Sequence, residues 1–504
     1  MALLLVLPLL IPLGTAVVVL LSWSSLRLQR AWSLLGAVGL LGTSGVLLRA
    51  VWMDGIQHVQ VGGWTAPFGI TLVADLLSAV MLVVSALMGV AVLIYAMGSL
   101  GEEREQGPFH ALYHFLLLGV AGAFLAGDLF NLYVWFEVLL ITSFVLLVLG
   151  NDRAQVQGSV TYVLVNLVAS LCFLMAVGLL YGVAGTLNLA DLAVRLPSVG
   201  APGLVTSIAM LFLVAFGIKA AVVPLFLWLP AAYHTPPIAV SALFAGLLTK
   251  VGVYALIRMF TLLFTQDVAY THTILLAIAT ITMVVGVLGA VAQTDVRRIL
   301  SFHIVSQIGY MVMGLALYTP LALLGAIFYI VHHIVVKTNL FLVGGVVERL
   351  TGAFDLSRIG GLYRSHPVLA GLFLIPALSL AGLPPLSGFW AKLLILKAGL
   401  EAEAYLAVAA ALIAGILTLV SMTKIWSEAF WTPFPESGTP PASLPPVRLL
   451  MVPIVGLAVV TLALGLYADP LAALAERAAA ELLDPSAYTA AVLGPEGLPT
   501  AARP

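Results

Sequence analysis

Apolar residues run along this chain in long stretches, broken by short polar segments. A helix needs about 20 mainly apolar residues to cross ~30 Å of hydrocarbon. Runs of that kind fall at 1–22, 31–50, 70–98, 109–127, 129–150, 157–184, 206–229, 239–263, 271–292, 299–317, 321–347, 366–400, 404–431 and 447–467. They predict an all-α polytopic membrane protein with about fourteen spans. Pro224 and Pro230 fall in the seventh run, Pro384 and Pro385 in the twelfth. Proline removes a backbone donor and breaks a helix interior, so helices 7 and 12 are expected to be discontinuous. The first run, MALLLVLPLL onward, has no basic leading region and no small-residue cleavage pattern, so it reads as a span and not as a signal peptide.

Spans 4–8 and 9–13 form two blocks of five, each with a proline-broken helix in fourth place. An odd number of spans per block gives the copies opposite orientation, which predicts two inverted five-helix repeats. The chain then divides into three leading spans (1–108), a first repeat (109–265), a second repeat (266–431), and a last span with an exposed tail (432–504). Loops after odd-numbered spans carry Arg27, Arg30, Arg104, Arg153, Arg297, Arg298, Arg358 and Arg364, whereas Arg49, Arg195, Arg258 and Lys397 stand at span edges on the other side. The positive-inside rule puts the odd loops in the cytoplasm of a plasma-membrane protein, with both termini outside. Residues 432–446 read as a proline-rich linker. ADPLAALAERAAAELLDP has one apolar face and is expected to lie on the outer surface, and the closing GPEGLPTAARP reads as disordered.

Composition agrees: 62% of the 504 residues are apolar and 9% charged, against about 25% charged in soluble proteins. Lipid is the main solvent. A net charge of −1 and the lack of a basic run exclude nucleic-acid binding. One cysteine, Cys172, leaves no internal disulfide and no zinc or iron–sulfur ligand set. No nucleotide loop or nucleophile motif is present, so the chain is read as a transporter without cofactor or metal, and not as an enzyme.

Against this background seven ionisable residues are out of place. Glu137 lies in NLYVWFEVLLITSF, Lys219 in VAFGIKAAVVPLF and Lys250 in FAGLLTKVGVYAL. His332, His333 and Lys337 share IVHHIVVKTNLF, and Lys392 lies in SGFWAKLLIL. A charge at a helix centre costs about 2.5–3.5 kcal/mol on insertion scales, and these positions are too far from span ends to snorkel. One glutamate cannot neutralise four lysines, so static pairing does not account for them. Away from water the ammonium loses its hydration, and a lysine able to give up its proton is what a relay needs. His333 and Lys337 are one turn apart on one helix face, and histidine exchanges protons at physiological pH; His332 points elsewhere and reads as structural. The broken helices beside Lys219 and Lys392 predict hydrated pockets there. Attraction between Lys219 and Glu137 is read as a gate: paired, the lysine holds its proton, and separated, it releases it. Asp75 reads as a cap, Asp128 as an interfacial residue and GEEREQGPFH as a solvated loop.

Several segments resemble one family: YVWFEVLLITSF, GIKAAVVPLFLWLPAAYHTPPIAVSALFAGLLTKVGVYALIR, VRRILSFHIVSQIGYMVMG, HHIVVKTNLFLVGG and LAGLPPLSGFWAKL. These are similar to the antiporter-like proton-translocating subunits shared by respiratory NADH dehydrogenase, membrane-bound hydrogenases and Mrp-type sodium/proton antiporters, with the Mrp branch the best match. The resemblance implies fourteen spans and two inverted repeats. It implies Glu137 and Lys219 as a gating pair, Lys250 with His332, His333 and Lys337 as a central hydrophilic axis, and Lys392 as a terminal proton site. It also implies work within a hetero-oligomeric complex of membrane subunits moving protons, with Na⁺ the candidate second ion. The alternative is a homologous pump subunit of a redox-driven complex. A lone solute carrier would concentrate its polar groups at one site, and a scaffold would not need these charges.

Overall fold

The computed structural model describes residues 2–434 and 447–494. The helices, in chain order, begin with α1 (Ala2–Leu21), α2 (Leu26–Asp54), α3 (Leu76–Ser99), α4 (Glu102–Arg104), α5 (His110–Leu125), α6 (Leu129–Leu147) and α7 (Arg153–Ala184). Next come α8 (Leu189–Arg195), α9 (Pro202–Ala220), α10 (Trp228–Ala232), α11 (Ile238–Leu262), α12 (Val268–Ala292), α13 (Val296–Leu317) and α14 (Pro320–Thr351). The last are α15 (Leu362–Ser365), α16 (Pro367–Ala381), α17 (Ser387–Glu401), α18 (Tyr405–Trp426), α19 (Arg448–Leu466), α20 (Asp469–Leu483) and α21 (Ser486–Leu493). Among the described residues thirteen helical stretches are long and apolar enough to cross a membrane, and α16 with α17 supplies a further, broken crossing. Most of the linker, 435–446, and the closing 495–504 lie outside the described residues.

Polar caps between the apolar runs start the helices. Asp75, Asp128 and Asp295 accept hydrogen bonds from the amides of Ser78, Asn131 and Arg298, at 2.9, 2.8 and 3.0 Å, satisfying donors that have no partner within the helix. Three expectations are corrected. The run at 70–98 is not helical throughout: Thr71–Ala74 (β2) pairs antiparallel with Gln57–Gln60 (β1), and the helix begins only after the Asp75 cap. The loop GEEREQGPFH is not wholly solvated, because Glu105 is fully buried and bonds Arg30 at 2.6 Å and His110 at 3.2 Å. Arg258 is not a loop-edge charge; it is 4% exposed within α11.

The molecule is turned inside out relative to a soluble fold. α11 is buried along its whole span, whereas α7 and α18 turn residues such as Leu171 and Ile416 outward. α14, at 32 residues, is about 48 Å long. It is nearly all buried and packs against α11, α13, α16, α17 and α19, forming the central post.

The seventh and twelfth crossings break as expected. α9 ends where Ala221 takes a left-handed conformation (φ 62°), and α16 ends at Gly382 (φ 96°). The ends are not left bare. Trp228 donates to the Ile218 carbonyl at 2.9 Å, and Thr282 accepts from the Val223 amide at 3.0 Å. In hydrocarbon such freed groups persist only where protein or water satisfies them.

Candidate functional site

Lys219 sits in the last turn of α9, just before the break, and is buried. Its Nζ lies 3.5 Å from the Asn166 carbonyl and 3.4 Å from Ser170 Oγ, both on α7, and 5.7 Å from the centre of the Phe136 ring. Glu137, the next residue on α6, is partly exposed and has one carboxylate oxygen buried without a hydrogen-bond partner. It lies within electrostatic reach of Lys219, yet the two make no ion pair among those of the described residues. A cavity of 20 Å³ beside Lys219, lined in part by Phe136, Asn166 and Trp228, is about the size one water needs.

Lys250 comes next along the interior. Gly252 lets the two lysine-bearing helices touch: a Cβ there would fall 2.5 Å from the Ala220 nitrogen and 2.7 Å from the Lys219 carbonyl carbon. Lys250 is fully buried and hydrogen-bonds the Ala245 carbonyl one turn back. Lys250, Lys337 and His333 lie within electrostatic reach of one another, and His303 on α13 lies within reach of Lys337 and Lys392. Lys337 Nζ, both ring nitrogens of His333, and the side chains of Thr338 and Asn339 are buried with no protein hydrogen-bond partner. Buried polar groups are nearly always bonded, so their concentration within two turns of α14 marks polar space.

The row continues into α17. His332 Nδ1 is 2.8 Å from Ser387 Oγ, which in turn is 3.0 Å from Ser379 Oγ. His332 therefore bridges α14 to the second break. Lys392, six residues into α17, donates to the Ala381 carbonyl at 2.8 Å and lies 5.0 Å from the centre of the Tyr310 ring. A cavity of 240 Å³ beside it is lined by Gly382, Phe389, Gly415 and neighbours. Gly382 takes a positive φ, and a Cβ there would meet Lys392 Cδ at 2.7 Å, so a larger residue would be both strained and blocked.

Lys250, His332, His333, Lys337 and Lys392 thus lie within electrostatic reach of one another along the protein interior, and Glu137 and Lys219 form a second group at the first break. Others were missed: Asn166, Ser170, His303, Gln307, Tyr310 and Tyr329. His303 bonds Ser421 and Tyr329 bonds Gln307, while the rings of Tyr310 and Tyr329 stack at 5.1 Å. One signal was available, since His303, Gln307 and Tyr310 have the i, i+4, i+7 spacing of a single polar face in an otherwise apolar run.

Many apolar crossings, two of them broken beside a buried lysine, define a class of polytopic membrane protein. Residues 126–418 match the family described as NADH:quinone oxidoreductase/Mrp antiporter, and the chain belongs to it. It is 47% identical over 490 residues to a Na⁺/H⁺ antiporter subunit from Alkalihalophilus pseudofirmus, covering 97% of this chain and 99% of that one. Among solved structures it superposes on a chain of the Mrp complex from a Dietzia species with a TM-score of 0.90 and 35% identity, covering 98% and 100% of the two chains. On a chain of respiratory complex I from Thermus thermophilus the TM-score is 0.79 with 28% identity, over 95% and 100%.

Proposed function

We propose that this chain is the proton-translocating membrane subunit of a multisubunit Mrp-type cation (Na⁺)/proton antiporter. The observation that carries the proton path is the row Lys219, Lys250, His333, Lys337, His303 and Lys392, in which buried bases follow one another with no acid paired to them. A proton held by one amine lowers the tendency of the next to hold another, so charge passes along the row by mutual repulsion. Glu137 is the acid in reach of its first lysine, and its approach to Lys219 or withdrawal from it gates entry. His332 positions the second break through Ser387, and Lys392 is the terminal proton site.

The same reading takes residues 109–265 and 266–431 as two five-span units of opposite orientation. Its support is that each breaks its fourth crossing at a left-handed residue, Ala221 in one and Gly382 in the other. It places the arginine-rich loops in the cytoplasm of the plasma membrane and both termini outside. The partners are the other membrane subunits of the complex, and the ions are protons exchanged for Na⁺. A redox-driven pump subunit is the second reading, and the fold likeness to the complex I chain is what favours it.

The test is the intact complex, purified through this chain and reconstituted in liposomes with a pH-sensitive dye inside. A sodium gradient is expected to drive proton movement, and Lys250→Ala is expected to abolish it while the complex remains assembled. Proton movement at the parental rate in assembled Lys250→Ala complex would overturn the relay. Co-purifying flavin or iron–sulfur subunits would replace the antiporter with the redox-driven pump.

A further inference from the structure

α11 carries more than Lys250. Tyr254 and Arg258 follow at i+4 and i+8, so one helix face holds a lysine, a phenol and a guanidinium over about 12 Å of rise. The face leads away from the arginine-rich loops, toward the β1–β2 hairpin and the C-terminal helices. At its far end Arg258 Nη2 meets Asp75 Oδ2 at 2.6 Å. Tyr254 Oη donates to the Phe124 carbonyl at 2.8 Å and lies 2.9 Å from Ser78 Oγ. Arg258 also reaches Ser78 Oγ at 3.4 Å and Tyr254 Oη at 3.3 Å. Asp75, Ser78, Tyr254 and Arg258 are each less than 5% exposed. The two hydroxyls meet each other and the Arg258 guanidinium, and Asp75 joins them through Arg258 and the Ser78 amide.

Its cover comes from the last described helices. Tyr488 of α21 lies over the Arg258 guanidinium at 5.4 Å, opposite the Tyr254 ring at the same distance. On α20, Glu481 accepts from the Leu76 amide at 3.4 Å, beside the Asp75 cap. Arg477 donates to the Trp52 carbonyl at 2.6 Å and pairs with Glu481 at 3.3 Å. The apolar face of α20, Leu471, Ala475, Ala478 and Leu482, is buried against protein, with α14 and α3 as its neighbours. The other titratable groups around the cluster are Glu481, Tyr488 and, at the start of α6, Asp128.

We propose that Tyr254, Ser78, Asp75 and Arg258 form a proton port joining Lys250 to the side opposite the arginine-rich loops, and that α20 and α21 are its lid. The proposal rests on the reading that this chain carries protons. Lys250 Nζ is turned toward Ala245, away from the port, so the hand-over requires the lysine to swing one turn toward Tyr254. There the ammonium gives its proton to the phenol oxygen. The phenol turns its hydroxyl from the Phe124 carbonyl to Ser78 Oγ and passes its own proton on. The Ser78 hydroxyl turns to Asp75, to which the Ser78 amide already donates, and delivers a proton there. Lys250 ends neutral and Asp75 protonated. Protonation dissolves the Asp75–Arg258 pair, and the proton leaves Asp75 for water once the lid lifts, restoring the carboxylate.

Two variants test this in the reconstituted complex. Tyr254→Phe keeps the ring but removes the hydroxyl, and is expected to lower sodium-driven proton movement at least tenfold without changing assembly. The lid is held by Met53→Cys with Arg477→Cys in a Cys172→Ser background, bridged by a reversible bifunctional methanethiosulfonate. Bridging is expected to stop proton movement, and reductant to restore it, a reversal that a folding defect would not give. If Lys250→Ala abolishes proton movement while bridged and Tyr254→Phe complexes run at the parental rate, the port is wrong and the proton-carrying reading stands. If Lys250→Ala runs at the parental rate, the reading beneath it has failed.

Discussion

Charged residues at the edges of the bundle and those in its interior are treated in opposite ways. At the edges they come in pairs, as Glu105 does with Arg30 and His110. In the interior Lys219, Lys250 and Lys392 rest on backbone carbonyls, two of them also over aromatic rings, and Lys337 has no hydrogen-bond partner among the described residues. A carboxylate would fix each ammonium in its charged form. A carbonyl dipole and a ring face stabilise the ammonium less and leave the proton free to go. On the proposed function the unpaired amines carry protons, while the Glu105 pairs hold the fold.

The sharpest way to break that contrast is to exchange stability for function in both regions. Lys250→Met or Lys337→Met removes a buried amine that has no counter-charge and fills its place with apolar volume. Thermal stability of the complex is expected to stay level or rise, because burying an unpaired charge is unfavourable. Sodium-driven proton movement is expected to fall by about 100-fold or more, equivalent to roughly 2.7 kcal/mol or more of barrier. Parallel loss of stability and transport would mean that the lysine is architectural. Glu105→Gln should do the reverse. It leaves Arg30 and His110 without their acid, and since Arg30 is 34% exposed the loss stays near 1–2 kcal/mol, below the 3–5 of a fully buried pair. Differential scanning fluorimetry reads the loss, and the transport rate per assembled complex is expected to stay unchanged.

The contrast also separates what the sequence made legible from what it did not. The spans were readable because hydrocarbon demands about 20 apolar residues, and the two breaks because proline disfavours a helix interior, although Pro12, Pro376 and Pro453 sit inside continuous helices. Interior lysines stood out because lipid makes them expensive to place there. The pairs were invisible: Arg30 and Glu105, like Asp75 and Arg258, are far apart in sequence, and each alone looks like a cap or a loop charge. The uncharged polar residues of the interior were invisible for another reason. Asn166, Ser170, Gln307 and Tyr310 cost little in a span, so their polarity only acquires meaning once α7 and α13 bring them beside a lysine. The β1–β2 pair was hidden because its inner strand, Thr71–Ala74, is fully buried and reads as the start of the next apolar run.

A finer test compares the two rings. Tyr310 lies 5.0 Å from Lys392 and Phe136 lies 5.7 Å from Lys219, which also has Glu137 in reach. A desolvated cation–π contact is worth about 2 kcal/mol and an exposed one about 0.5–1. Tyr310→Leu is therefore expected to lower the transport rate roughly tenfold, and Phe136→Leu only a few-fold, because an acid near Lys219 compensates. Equal effects, measured as initial rates of dye response, would show that the rings do not substitute for counter-charges.

The smallest effect lies at the lid, where a paired carboxylate meets a pair it did not make. Burial pushes the Glu481 carboxyl above its ordinary value, and the negative charge of Asp75 adds to the rise, while the Leu76 amide and Arg477 act against it. A carboxyl raised on docking binds its proton more tightly when docked. Docking is then strongest below the ordinary glutamate value of about 4.3 and weakens as pH rises through the raised one. Hydrogen exchange of α20 and α21, corrected for intrinsic rates, is expected to show protection falling a few-fold as pH rises through that window. Glu481→Gln keeps an acceptor for the Leu76 amide and for Arg477 but carries no charge, so its protection should stay flat with pH and exceed that of the parent near neutrality. Protection that falls equally in both would place the pH response on another group at the lid, with Asp128, whose buried carboxyl is pushed up to about 6, the next to substitute.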